Sequence, residues 1–125
     1  MPTGPYGSLR VPAVQIMLVA VALFELHIPH AQSLKEKRMV VKSLRDKLRN
    51  RFEISAAEVG MQDLHQRARM AVAFIALDQP GVDGMLEKIQ HFVESSSDGM
   101  LTGWTSEVLD FDEGAGLGVA GMDIT

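Results

Sequence analysis

The stretch "AVQIMLVAVALFELHIP", residues 13–29, admits two readings, and the choice between them decides the fold. An apolar run from Ala13 to Phe24 follows Arg10, and Ala20-Val21-Ala22 resembles a signal-peptidase site. Against export, the run is too short to span a bilayer, which takes about 20 apolar residues. It also passes without a break into alternating sequence. Leu18, Ala20, Ala22, Phe24, Leu26 and Ile28 fall on one side, and Val19, Val21, Leu23, Glu25 and His27 on the other. A period of two is a strand, here Val14 to Ile28, buried on both faces at first and half-exposed at its end. Pro29 stops it.

Reading onward, Ser33-Leu34-Lys35-Glu36 is a capping box, in which the Ser33 hydroxyl accepts from the amide of Glu36 and Glu36 reaches back. A helix of about 17 residues is expected after it. Residues 53–60 and 67–78 read as two antiparallel neighbouring strands. Asp78 caps a second helix with Pro80 in its first turn, and Val82, Met85, Leu86, Ile89, Phe92 and Val93 recur at helical spacing. "SSSDG" breaks that helix, and residues 100–111 form the last strand. A Pro- and Gly-rich arm (1–13) and a Gly-rich tail (112–125) flank one domain, 14–111. The order β-α-β-β-α-β predicts an α+β, ferredoxin-like fold: a four-stranded antiparallel sheet with both helices on one face. Its other face is left bare, and bare faces and edges commonly take a partner, often a second copy of the chain.

Length and composition agree with this. A chain of 125 residues with 46% hydrophobic and 22% charged residues suits one globular domain. There is no Cys, which removes disulfides, thiolate zinc sites and Cys nucleophiles and fits a cytoplasmic protein.

"HIPHAQSLKEKRMVVKSL" (27–44) and "AAEVGMQDLHQRARMAVA" (56–73) together resemble the YlxP-like family of small bacterial proteins. The likeness spans about residues 17–111. It implies a ferredoxin-like fold and, because the family's genes often neighbour translation and ribosome-maturation genes, a ribosome-binding role. It implies no catalytic residues. His65 stands where the family usually has Trp. Members usually begin near the position of Met17, so Met17 is expected as the true start. A native peptide spanning residues 10–20 would refute that.

The main functional lead is charge. The chain carries a net −4, yet Ser33–Phe52 holds eight of its twelve Lys and Arg residues. Residues 31–69 carry ten basic and five acidic residues, and residues 70–125 one basic and ten acidic. At 100° per residue, Lys35, Arg38, Lys42, Arg45 and Arg49 fall within an arc of about 80°. The apolar arc of Leu34, Val40, Val41, Leu44 and Leu48 lies about 120° away. Lys37 falls at the centre of that apolar arc, so its stem is expected to pack while its ammonium reaches water. Four like-charge neighbour steps along the ridge cost about 0.2–0.5 kcal/mol each. A stripe that opposes local stability suggests a polyanionic partner. The bland reading is a solvated face paired with acids elsewhere. Arg67 and Arg69, beside the link Gln62–Gln66, are a second candidate patch, though that link also reads as a plain turn.

Other signals are weak. The predicted strands hold Phe24, Phe74, Trp104 and Phe111, mostly expected in the core, so the sheet lacks the base-stacking platform of an RNA-recognition motif. Gly81-Val82-Asp83-Gly84 matches a GXXG, but Asp83 would repel phosphate. Gly116–Gly121 is a formal GxGxxG without a following helix. His27 and His30 form an HxxH, with His65 and Glu25 as candidate neighbours, but a lone HxxH is commonly coincidental. Glu25, Glu58 and Asp63 fall near strand ends without spacing that implies acid–base work. An acylphosphatase site needs an Asn on a strand, and the single Asn, Asn50, belongs to the first helix. No metal, cofactor, membrane contact or enzymatic activity is expected. The favoured function is a non-catalytic cytoplasmic factor binding structured RNA or the ribosome through the first helix. The runner-up is a protein-interaction or homodimerising module with complementary basic and acidic faces. A third reading is a metal- or small-ligand-binding regulator at His27/His30.

Overall fold

A computed structural model of the chain describes residues 16–96 and 99–112. The expected arm and most of the expected tail, with its GxGxxG, lie outside the described residues. Six elements follow in the predicted order: β1 (Ile16–His27), α1 (Leu34–Phe52), β2 (Ser55–Gly60), β3 (Arg67–Ala76), α2 (Gln79–Glu94) and β4 (Met100–Asp112). The strands pair antiparallel in the order β2-β3-β1-β4, giving the α+β ferredoxin-like arrangement, with β2 and β4 at the edges.

The alternation in β1 sorts its side chains onto two faces, but the second face is not buried at its start as expected: Met17, Val21 and Leu23 are exposed, because no element covers that side of the sheet. Leu18, Ala20, Ala22, Phe24 and Leu26 are buried beneath the helices, joined by Met70, Val72 and Phe74 of β3. From α1 the core receives Val41, Leu44 and Leu48, and from α2 Val82, Ile89 and Val93. Phe24 stacks on Trp104 of β4 with ring centroids 5.5 Å apart. Phe24 and Phe74 are core and Trp104 packs against it, whereas Phe111 is exposed on the opposite face.

Several boundaries differ from the sequence expectation, each for a local reason. α1 runs 19 residues because Glu53, expected to open the second strand, instead closes the helix in the left-handed region (φ 54°), its N–H bonding the carbonyl of Arg49 at 3.0 Å. β2 therefore starts at Ser55. β3 stops at Ala76 because Asp78 is committed to capping α2, accepting from the N–H of Gly81 at 2.7 Å. β4 takes in Asp112, assigned from sequence to the tail. Bulges interrupt the register at Glu25/Leu26 against β4 and at Glu58/Gly60 against β3.

Candidate nucleic-acid interface

α1 is fixed at its start by the expected cap, with one change. The Ser33 hydroxyl accepts from the N–H of Glu36 at 3.1 Å, but the Glu36 carboxylate reaches one residue further back, to the N–H of Gln32 at 2.6 Å. With the helix so placed, its apolar arc faces the sheet and the cationic ridge lies along its flank over the β2 edge. Arg49 shows the direction: its Nη2 donates to the carbonyl of Ala56 in β2 at 2.8 Å. The opposite flank faces α2, where the Arg51 guanidinium lies 5.3 Å from the Phe92 ring centroid.

The five ridge residues are not equivalent. Lys35, Arg38 and Lys42 are exposed and make no ion pair among the described residues. Arg45 is half-buried and pairs with Asp46 at 3.2 Å. Arg49 is partly engaged by the β2 carbonyl, and its place in the last turn also complements the helix dipole.

Lys37 corrects the sequence expectation. Its side chain is 0% exposed, ammonium included. The Nζ donates to the carbonyl of Met61 at 2.9 Å and lies 2.9 Å from Glu58 Oε2. That carboxylate oxygen is buried and accepts no aligned hydrogen bond, so the contact is charge on charge. The expectation failed because helical angle places the stem but cannot show that β2 brings a carboxylate underneath it. Snorkelling is needed only when the ammonium has no buried partner.

Arg67 and Arg69 do not extend the ridge. They alternate with buried Ala68 and so project from the sheet face away from the helices. Both converge on Glu25: Arg67 Nη2 donates to Oε1 at 2.9 Å, and Arg69 donates to Oε2 through Nη2 at 2.7 Å and Nε at 3.2 Å. Hydrogen bonds from Arg69 first, then Arg67, hold the Glu25 carboxyl below its ordinary pKa. Glu25 and Glu58 do not come together: Glu25 pairs with Arg67 and Arg69 on the bare face, and Glu58 meets Lys37 on the helix side. The link before β3 is tied to the start of the helical segment by Gln66, whose Nε2 donates to the carbonyls of Pro29 (3.1 Å) and Ala31 (3.2 Å), while Ile28 N–H donates to Gln66 O at 2.8 Å.

The histidines scatter. His27 and His65 border one shallow hollow with Asp63 and Arg67, and His30 borders another with Glu94. No three His, Asp or Glu side chains among the described residues stand close enough to hold a metal ion. Gly81–Gly84 lies within the first turns of α2, not in a loop between helices. No helix among the described residues is long and apolar enough to cross a membrane.

Fold and surface together define a small ferredoxin-like domain with one cationic helix flank and one bare sheet face. The chain belongs to the family described as "Protein of unknown function (DUF503)", whose model matches residues 19–105. It is also 32% identical over 78 residues to the "Uncharacterized protein YlxP" of Bacillus subtilis (strain 168), an alignment covering 62% of this chain and 85% of that protein.

Proposed function

We propose that the domain is a non-catalytic cytoplasmic factor that binds structured RNA, on the ribosome or its precursors, through the exposed flank of α1. The observation that carries this is the state of Lys35, Arg38 and Lys42: three exposed cations on successive turns, with no ion pair among the described residues. Surface cations left in a row cost self-repulsion and contribute nothing to the fold. They gain by neutralising phosphates and releasing counterions. At a 1.5 Å rise the ridge from Lys35 to Arg49 spans about 21 Å in steps of about 5 Å. Such a row follows a phosphate backbone and reads shape, not base edges. The exposed acids Glu107 and Asp110 sit on β4, the sheet edge opposite β2. That polarity turns the α1 flank toward a polyanion.

The test is binding to ribosomal subunits and to a structured ribosomal RNA fragment as a function of salt. Arg38→Glu/Lys42→Glu should bind more weakly across all salts, with the slope of log K against log salt shallower by about one per lost phosphate contact. Wild-type binding that is absent at low salt, or a double variant that binds like wild type, overturns the proposal.

A further inference from the structure

We infer that the bare sheet face is the interface of a two-fold dimer, packed face to face with a second copy of this chain. The face is apolar over most of its length. Val21 and Leu23 of β1, Ile75 of β3, Val59 of β2, and Leu109 and Phe111 of β4 are all exposed on it, Ile75 to 65%. Four strands at about 4.8 Å and about ten residues of rise give a projected area of roughly 600 Å². A monomer seldom exposes an apolar face of that size, and side-chain relief brings it toward the roughly 800 Å² per partner of a standard interface.

The pattern of residues on the face says what covers it. Across the seam between β3 and β1 the rows run Ile75 beside Val19, Ala73 beside Val21, Ala71 beside Leu23 and Arg69 beside Glu25. Consider a two-fold axis running along the strands at this seam. It lays β3 of one copy over β1 of the other and keeps each row facing itself. Ala73 then meets Val21 of the second copy, and Ala71 meets its Leu23, so small residues receive large ones in both directions. Arg69 meets Glu25 of the second copy, and Glu25 meets its Arg69, extending the ion cluster already present within each chain.

The outer columns obey the same operation. Glu107 of β4, beside Val21, falls over Ser55 of β2, which offers a hydroxyl. Leu109, beside Val19, falls beyond the start of β2, near Ser55 and Ile75 at the rim of an open hollow that continues round the sheet edge to Phe52, Glu53 and Met85. An axis across the strands instead lays the Arg67–Arg69–Glu25 end over apolar Met17 and Val19 and strands its charges. Shape and charge both select the first axis, and sheets packed within about 30° of parallel preserve the row matching.

The chain has no Cys, so introduced thiols are unique. Sedimentation equilibrium of the full chain should give twice the chain mass. Val21→Lys should give the monomer mass with an unchanged far-ultraviolet spectrum, and Ile75→Lys, at a more exposed site, should repeat this if Val21→Lys unfolds. A short bismaleimide should cross-link Ala73→Cys into dimers and leave Met39→Cys, on exposed α1 surface, uncoupled. A monomeric wild type at high micromolar concentration overturns the inference. So does a folded lysine variant that stays dimeric, or cross-linking of Met39→Cys in place of Ala73→Cys.

Discussion

Replacing Glu58 by Gln tests whether the buried Lys37 depends on that carboxylate. The substitution keeps the shape of the side chain and removes its charge. Lys37 has no exposed surface, and among the described residues the polar partners of its ammonium are Glu58 Oε2 and the Met61 carbonyl, each at 2.9 Å. At an effective dielectric constant of about 20, unit charges at 2.9 Å attract by roughly 6 kcal/mol. Desolvation of the ammonium cancels part of this, leaving the range for truncating one partner of a buried pair, about 3–5 kcal/mol. The low end is expected here, about 3 kcal/mol, because the Met61 carbonyl remains and Glu58 keeps 17% exposure.

The two ends of the pair are not symmetric. Lys37→Met removes the deeply buried charge and leaves a carboxylate with some access to water, so it should cost less, about 1–2 kcal/mol, mostly for the unpaired Met61 carbonyl. Lys37→Met/Glu58→Leu should lie near wild type or above it, as apolar replacement of a buried pair commonly does. Urea unfolding at neutral pH reads all three. With a urea dependence of about 1–3 kcal/mol/M, Glu58→Gln moves the midpoint down by about 1–3 M. A Glu58→Gln cost below about 1 kcal/mol, or a Lys37→Met cost exceeding it, would refute the reasoning.

Three smaller perturbations test the pieces that set the elements in place. Ser33→Ala removes the acceptor for the Glu36 amide and should lower stability by about 1 kcal/mol in urea unfolding, with Ser33→Asp retaining most of it. Gly81→Ala should also destabilise by about 1 kcal/mol, although Ala is the better helix former, because the new Cβ would stand 2.9 Å from the Asp78 oxygen that caps α2; a Gly81→Ala variant more stable than wild type would show that the cap yields freely. Glu25 has its pKa lowered in the folded state, so its contribution is present above the unfolded pKa and is lost as pH falls through the folded one. The acid limb of stability against pH should therefore be shallower in Glu25→Gln than in wild type, measured by thermal melts from neutral to acidic pH.

The fold was legible because its signals are local. Alternation in Leu18–Leu26 gives β1, the Ser33 and Asp78 caps give the helix starts, and the 3.6-residue pattern gives the buried sides. What the sequence could not show is what meets across elements. Helical angle placed Lys37 over the apolar seam correctly, but its burial depends on Glu58, 21 positions away and brought beneath it by β2. Arg67 and Arg69 read as a free basic pair because Glu25 lies more than 40 residues earlier, and only the β1–β3 register brings it between them. The end of α1 shifted because a left-handed Glu53 is a cap without a Gly to announce it.

This division of labour bears on where function resides. In "SLKEKR", Ser33 and Glu36 secure the helix start, and Lys37 pins α1 to β2 and to the left-handed Met61. In "AEVGMQDLHQRA", Glu58 answers Lys37, Gln66 holds the Pro29–Ala31 turn, and Arg67 serves Glu25. Several polar residues of the two stretches that carry the family likeness thus hold the domain together, so matching those positions identifies a fold more than an activity. Lys35 and Arg38 are the basic residues of the first stretch with no such task among the described residues. Substituting them should leave the unfolding midpoint nearly unchanged, within about 0.5 kcal/mol, while weakening RNA binding. Substituting Lys37 should do the reverse, with binding per folded molecule preserved. If instead Lys35→Ala/Arg38→Ala destabilises the domain by several kcal/mol, the ridge belongs to the scaffold and the functional surface lies elsewhere.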